Sequence, residues 1–200
     1  MQILGTVTPL IPAVLLRFTG NGANDKSRLL THVFLALVGS VLLTISAKVQ
    51  IPFYPVPMTM QTLIVLMIGM SYGAPLAAFT IFLYLFQGAI GLPVFANGAG
   101  LAYMMGPTGG YLVGFFLSAI LLGILASNGM GKTWQTTAVA MILGVGVIFG
   151  IGVSWLAGFI GFKAAFINGC LPFIYADFLK IIIASLAMPA IWSVLDRFLK

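Results

Sequence analysis

Residues 171–192, LPFIYADFLKIIIASLAMPAIW, form an apolar run broken by two charges, Asp177 and Lys180. A helix crosses the hydrocarbon core of a bilayer with about 20 predominantly apolar residues, so this run predicts one crossing. Three residues of helix bring Asp177 and Lys180 onto one face. A charge near the bilayer centre costs on the order of 2.5–3.5 kcal/mol, and such groups normally face a cavity, a partner or a substrate. One stretch therefore gives both a fold class and a candidate site.

The rest of the chain agrees with a membrane reading. Of its 200 residues, 61% are apolar and only 6% charged, with a mean hydropathy of +1.16. Soluble domains carry about 25% charged residues. From Val49 through Gly131 there is no Asp, Glu, Lys, Arg or His. The long continuous runs predict helices; the strands of a membrane barrel would alternate apolar and polar residues. The predicted fold class is an all-α integral membrane protein. The formal charge of +6 is spread over single basic residues and forms no stripe with interleaved aromatics, which argues against nucleic acid and for positive-inside topology. The single cysteine, Cys170, excludes an internal disulfide framework and reads as a small packing residue.

Six spans are predicted: 29–48, a hairpin of two short helices within 59–88 broken at SYGAP, 108–127, 135–160 and 172–194. Residues 1–28 read as a cytoplasmic or interfacial lead, and 29–197 as a single transmembrane domain. Two loops stand out, the proline-rich VQIPFYPVPMT of 49–59 and the glycine-rich 87–107, which is long for a connection between packed helices. With both termini cytoplasmic, Arg17, Lys26, Arg28, Lys132, Arg197 and Lys200 fall inside, and only Lys48 and Lys163 fall at external ends. Both loops then lie on the outer side, above the helix carrying Asp177 and Lys180, which implies an outward-facing ligand pocket.

Small residues recur at helix-packing spacing: Ala36, Ser40 and Thr44 on the first span, Gly110, Gly114 and Ser118 on the fourth, Gly146 and Gly150 on the fifth. Such faces admit a close neighbour. On the first span the stripe equally suits docking of an external partner.

Asp177 and Lys180 admit two readings. Lys180 can snorkel outward from a structural ion pair, although it lies about 12 Å of helix beyond Pro172. Alternatively both face inward, the ammonium meeting a substrate carboxylate while Asp177 keeps it charged and oriented. Asn97, in GLPVFANGAG, offers donors and an acceptor to an amide-like ligand, or simply makes an Asn-Gly turn. In MMGPTGGYLVG, Thr108 is placed to cap the fourth span, with Gly109 and Gly110 permitting close backbone approach. ASNGMGKT, residues 126–133, imitates a relaxed phosphate loop, but it joins two spans instead of following a strand. With one histidine, His32, and no HExxH, Cys/His or Ser/His/Asp set, the chain does not read as an enzyme.

At IPFYPVPMTMQT, YLFQGAIGLPVFANGAG, GPTGGYLVGF and PFIYADFLK, spread over residues 51–180, the sequence resembles the BioY family, biotin-binding S components of energy-coupling factor transporters. The resemblance implies a six-helix plasma-membrane subunit that captures biotin from outside, without a cofactor. Its implied partners are a transmembrane coupling subunit and two cytoplasmic ATP-binding ATPases. Family ligand contacts in the outer loops and the last helix fall here on Asp177, Lys180 and Asn97. An Ala-x-x-x-Ala docking motif becomes Ala36-x-x-x-Ser40. Biotin carries a carboxylate, a ureido group and an apolar bicyclic body; Lys180 suits the first, Asn97 and Gln61 the second, and Phe53, Phe95 and Tyr111 the third. A self-sufficient carrier of biotin or a related small carboxylate, using Asp177 for proton coupling, is the alternative. Against it, the chain shows no repeated half and only one embedded acid.

Overall fold

Apolar runs punctuated by glycine and proline dictate where the helices stop. The structure, a computed structural model, describes residues 25–198. Its elements in chain order are α1 (Asp25–Lys48), β1 (Gln50–Ile51), β2 (Met58–Thr59), α2 (Gln61–Tyr72), α3 (Ala74–Ala89), α4 (Gly100–Met104), α5 (Gly109–Ser127), α6 (Trp134–Ile160), α7 (Phe162–Gly169) and α8 (Leu171–Phe198). Helix α1 includes residues 25–28, with the Asp25 carboxylate in its first turn, where it favours the helix dipole. Residues 1–24, with Arg17, and Lys200 lie outside the described residues.

Four of the described helices are long and apolar enough to cross a membrane: α1, α5, α6 and the Leu171–Ile191 part of α8. Helices α2 and α3 have 12 and 16 residues. They rise only about 18 and 24 Å, short of the roughly 30 Å hydrocarbon core. The expected break at SYGAP falls on Gly73, whose φ of 76° suits a residue without a Cβ. The proline-rich loop is a small antiparallel hairpin pairing Gln50 with Thr59 and Ile51 with Met58. Neither α4 nor α7 was signalled by the apolar periodicity.

Helix α5 packs among α2, α3 and α6, α1 lies on α3, and α8 lies on α6 and α2. One core cluster joins Tyr84, Phe95, Tyr111, Phe115, Ile148 and Leu156. Another joins Leu66 and Met70 of α2, Leu122 of α5, Met141 of α6 and Met188 of α8. The α5 glycines pack as their spacing predicts: a Cβ on Gly110 would lie 2.2 Å from Trp155 Cβ, and one on Gly114 2.9 Å from Ile148 Cα. The α6 stripe differs. Gly146 and Gly150 meet nothing within 4 Å, whereas a Cβ on Gly144 would press Leu122 and Ser118, and one on Gly152 would press Tyr111. The contacting face of α6 is Gly144, Ile148 and Gly152, because it must accommodate Ser118 and the Tyr111 ring of α5.

The stripe on α1 is also turned inward. Ala36 is 0% and Ser40 1% exposed. Ser40 Oγ donates to Gln87 Oε1 on α3, and a Cβ at Gly39 would collide with Thr80. In the structure Ala36 and Ser40 are thus buried within the chain, with Ser40 packed against α3.

Candidate ligand-binding site

The fold brings α2, α5, α6, α8 and the two loops around one cavity with about 490 Å³ of empty space, continuous with its open mouth. Its polar side is built by Thr59, Gln61, Thr62, Asp177 and Lys180. The remaining lining is mostly apolar, with Val56, Pro57, Ala96, Leu112 and Ile148 beside Tyr103, Tyr111, Phe115, Phe149 and Phe173. Tyr111 and Phe149 meet edge to face with centroids 6.4 Å apart, and Phe149 meets Phe173 at 6.1 Å. These contacts make a continuous aromatic wall.

Asp177 and Lys180 are 2% and 5% exposed and face inward together. Lys180 Nζ lies 2.6 Å from Asp177 Oδ1. The same ammonium donates to the Thr59 carbonyl and to Thr62 Oγ1, each at 2.8 Å. An ammonium has three donors, and all are used. Thr62 Oγ1 in turn donates to Asp177 Oδ1 at 2.8 Å. Asp177 Oδ2 is buried without a hydrogen-bond partner. Buried polar atoms are nearly always paired, and an unpaired acceptor of a carboxylate is costly. The pair is therefore internally neutralised, and Asp177, which lines the cavity, keeps one strong acceptor, Oδ2, unpaired.

Of the residues predicted from sequence, Gln61, Tyr111, Asp177 and Lys180 line the cavity. Tyr111 is held from behind: its hydroxyl donates to the Gly169 carbonyl at 2.8 Å, and its ring fills the space left by Gly152. Phe53, Phe95 and Asn97 are not among the cavity's lining residues. Phe53 lies 6.3 Å from the Phe173 ring, and Phe95 stacks on Tyr103 at 5.1 Å. Asn97 is exposed, with Oδ1 accepting from Gln50 Nε2 at 2.7 Å. Lys48 donates to the Phe95 carbonyl at 2.5 Å, so the end of α1 and strand β1 together grip the 93–98 loop.

One further correction concerns loop chemistry, and one expectation there holds. Thr108 precedes α5 but makes no side-chain cap; it lines the cavity instead. The nucleotide-loop imitation at 126–133 links helix α5 directly to α6, with Thr133 capping α6 through its side chain, and no strand precedes it. Sequence reasoning missed Thr59 and Thr62. Both stand within MTMQT, and Thr62 meets Asp177 across a sequence separation of 115 residues. Uncharged hydroxyls give no energetic signal comparable to that of a buried charge.

A family model described as the BioY family matches residues 20–197. The chain is 38% identical over 150 residues to a probable biotin transporter BioY of Pyrococcus horikoshii, covering 74% of this chain and 88% of that protein. It is 35% identical to the biotin transporter BioY of Rhizobium etli over 173 residues, covering 82% of this chain and 91% of that protein. Its fold matches the crystal structure of the S-component for biotin from an ECF-type ABC transporter with a TM-score of 0.75 at 23% identity. That match covers 86% of this chain and 95% of the other.

Proposed function

The chain belongs to the BioY family, and from that premise we propose that it is the biotin-binding S component of an ECF-type transporter. It is a transport protein and not an enzyme. The observation that carries the reading is the cavity in which a buried Asp177–Lys180 pair leaves Asp177 Oδ2 unpartnered beside an aromatic wall.

Biotin offers two ureido N–H donors, and Asp177 Oδ2 accepts one without breaking any existing bond. A carboxylate approaching Lys180 must displace Thr59, Thr62 or Asp177. The ureido end therefore goes to Asp177, with Gln61 as a further polar contact and Tyr111 against the apolar body. Lys180 holds Asp177 in place. Phe53, Phe95 and Asn97 act by bracing the loops that close the site.

The cavity opens outward and both termini are cytoplasmic, a reading supported by Lys26, Arg28 and Lys132 on the side opposite Lys48 and Lys163. Helices α2 and α3 make short crossings completed by the hairpin and the glycine-rich loop, which gives six crossings. A transmembrane coupling subunit and two ATPases supply the energy. If α1 meets the coupling subunit, its available surface is the exposed Phe34, Val41 and Ile45 side, since Ala36 and Ser40 are covered.

Titration calorimetry of the purified chain with biotin tests the binding reading, with other water-soluble vitamins as controls. Saturable binding of biotin alone is expected, and its absence would refute the reading. Uptake into liposomes bearing this chain alone should be absent; ion-gradient-driven accumulation would establish a self-sufficient carrier.

A further inference from the structure

We infer that Tyr84, which does not line the cavity, is a positioning residue that sets the direction of the Gln61 side-chain amide, and so the hydrogen-bonding edge Gln61 offers a ligand. Tyr84 lies on α3 and is 0% exposed, its ring edge-on to Phe95 at 5.5 Å. Its hydroxyl donates to the Val94 carbonyl at 3.1 Å. A phenol has one hydrogen, so its oxygen can serve any further partner only as an acceptor. Gln61 Nε2 fills that role at 2.8 Å.

The opposite end of the amide is fixed by the same logic. Gln61 Oε1 accepts from Thr59 Oγ1 at 3.2 Å, while that hydroxyl oxygen accepts the Gln61 backbone N–H at 3.2 Å. Flipping the amide would set Oε1 against a Tyr84 oxygen whose hydrogen is already committed to Val94. It would also set an N–H group against the Thr59 hydroxyl hydrogen. Both replacements are unfavourable in a buried site. One N–H of Gln61 and the remaining capacity of Oε1 are left for a ligand. A phenylalanine would fill the same volume, so the buried hydroxyl is explained by its two bonds and not by packing.

The assignment deepens the biotin reading and rests on it for its binding arm. Biotin affinity is measured by calorimetry for the wild type, Tyr84→Phe, Gln61→Met and the double variant. Tyr84→Phe should weaken binding about tenfold, the scale of one hydrogen bond. Gln61→Met should weaken it at least as much, and the double variant no further than Gln61→Met; additive losses would overturn the proposal. A second measurement needs no ligand. In wild-type protein labelled with ¹⁵N-glutamine, the Gln61 side-chain amide should exchange far more slowly than that of exposed Gln135, and Tyr84→Phe should shift its signal and speed its exchange. Equal exchange of Gln61 and Gln135 in the wild type, or an unmoved Gln61 signal in Tyr84→Phe, would overturn the role of Tyr84 whether or not biotin is the ligand. Failure of the wild type to bind biotin would instead refute the functional reading alone.

Discussion

Replacing Asp177 with Asn preserves the shape of the site and removes its unpaired carboxylate acceptor, Asp177 Oδ2. Asp177 Oδ1 already accepts from Thr62 at 2.8 Å and Lys180 at 2.6 Å, so the Asn carbonyl oxygen is held on that side. The amide nitrogen then occupies the place of Oδ2, and a ligand N–H group meets another N–H group. Losing a hydrogen bond to a charged acceptor costs about 1.5–3 kcal/mol. At about 1.4 kcal/mol per decade, the dissociation constant for biotin rises about ten- to a hundredfold, before the opposed donors add to the loss. The fold is weakened too, because Lys180 loses its counter-charge. Removing one partner of a buried pair costs up to about 3–5 kcal/mol. The Thr59 carbonyl, the Thr62 hydroxyl and the new amide oxygen keep the cost at the low end. Calorimetry and thermal melting in one detergent separate the two effects. Affinity within twofold of the wild type in a folded Asp177→Asn protein would refute the assignment of Oδ2 to the ligand.

Lys180→Met leaves Oδ2 at the cavity but strands the Asp177 carboxylate without its cation, so melting should fall further than in Asp177→Asn, by about 3–5 kcal/mol of stability; an equal or smaller fall contradicts the geometry. Gly152→Ala drives a Cβ to 2.4 Å from Tyr111 Cδ1, whereas Gly150→Ala meets nothing. The first should cost about 1–3 kcal/mol and weaken biotin binding, and the second should be neutral or slightly stabilising in melting experiments. Gly88→Ala would set a Cβ 2.0 Å from Phe95 Cζ, in a ring already fixed between Tyr84 and Tyr103; its melting temperature should drop, and wild-type melting with unchanged binding would count against bracing by Phe95.

Hydropathy and punctuation were enough to locate α5, α6 and α8, and Gly73 ends α2 within the SYGAP break. They did not reveal α7 or the length deficit of α2 and α3, since a short apolar helix and a full crossing share the same residue types. Small-residue spacing found the right face of α5 but the wrong face of α6. Gly144, Gly146, Gly150 and Gly152 all stand on one glycine-rich helix, and only the bulk of Tyr111 and Ser118 on the neighbouring helix decides which of them it approaches. The site divides in the same way. Asp177 and Lys180 are legible because a charge in an apolar run carries a large desolvation penalty. Thr59 and Thr62 carry little penalty and vanish among apolar neighbours, yet they decide what the pair can do. Read without them, Lys180 is a cation awaiting an anion. With the Thr59 carbonyl, the Thr62 hydroxyl and Asp177 Oδ1 around it, the ammonium has no donor to spare, and the unused capacity lies on Asp177 Oδ2. Selectivity at this end of the cavity should therefore favour neutral N–H donors over carboxylates.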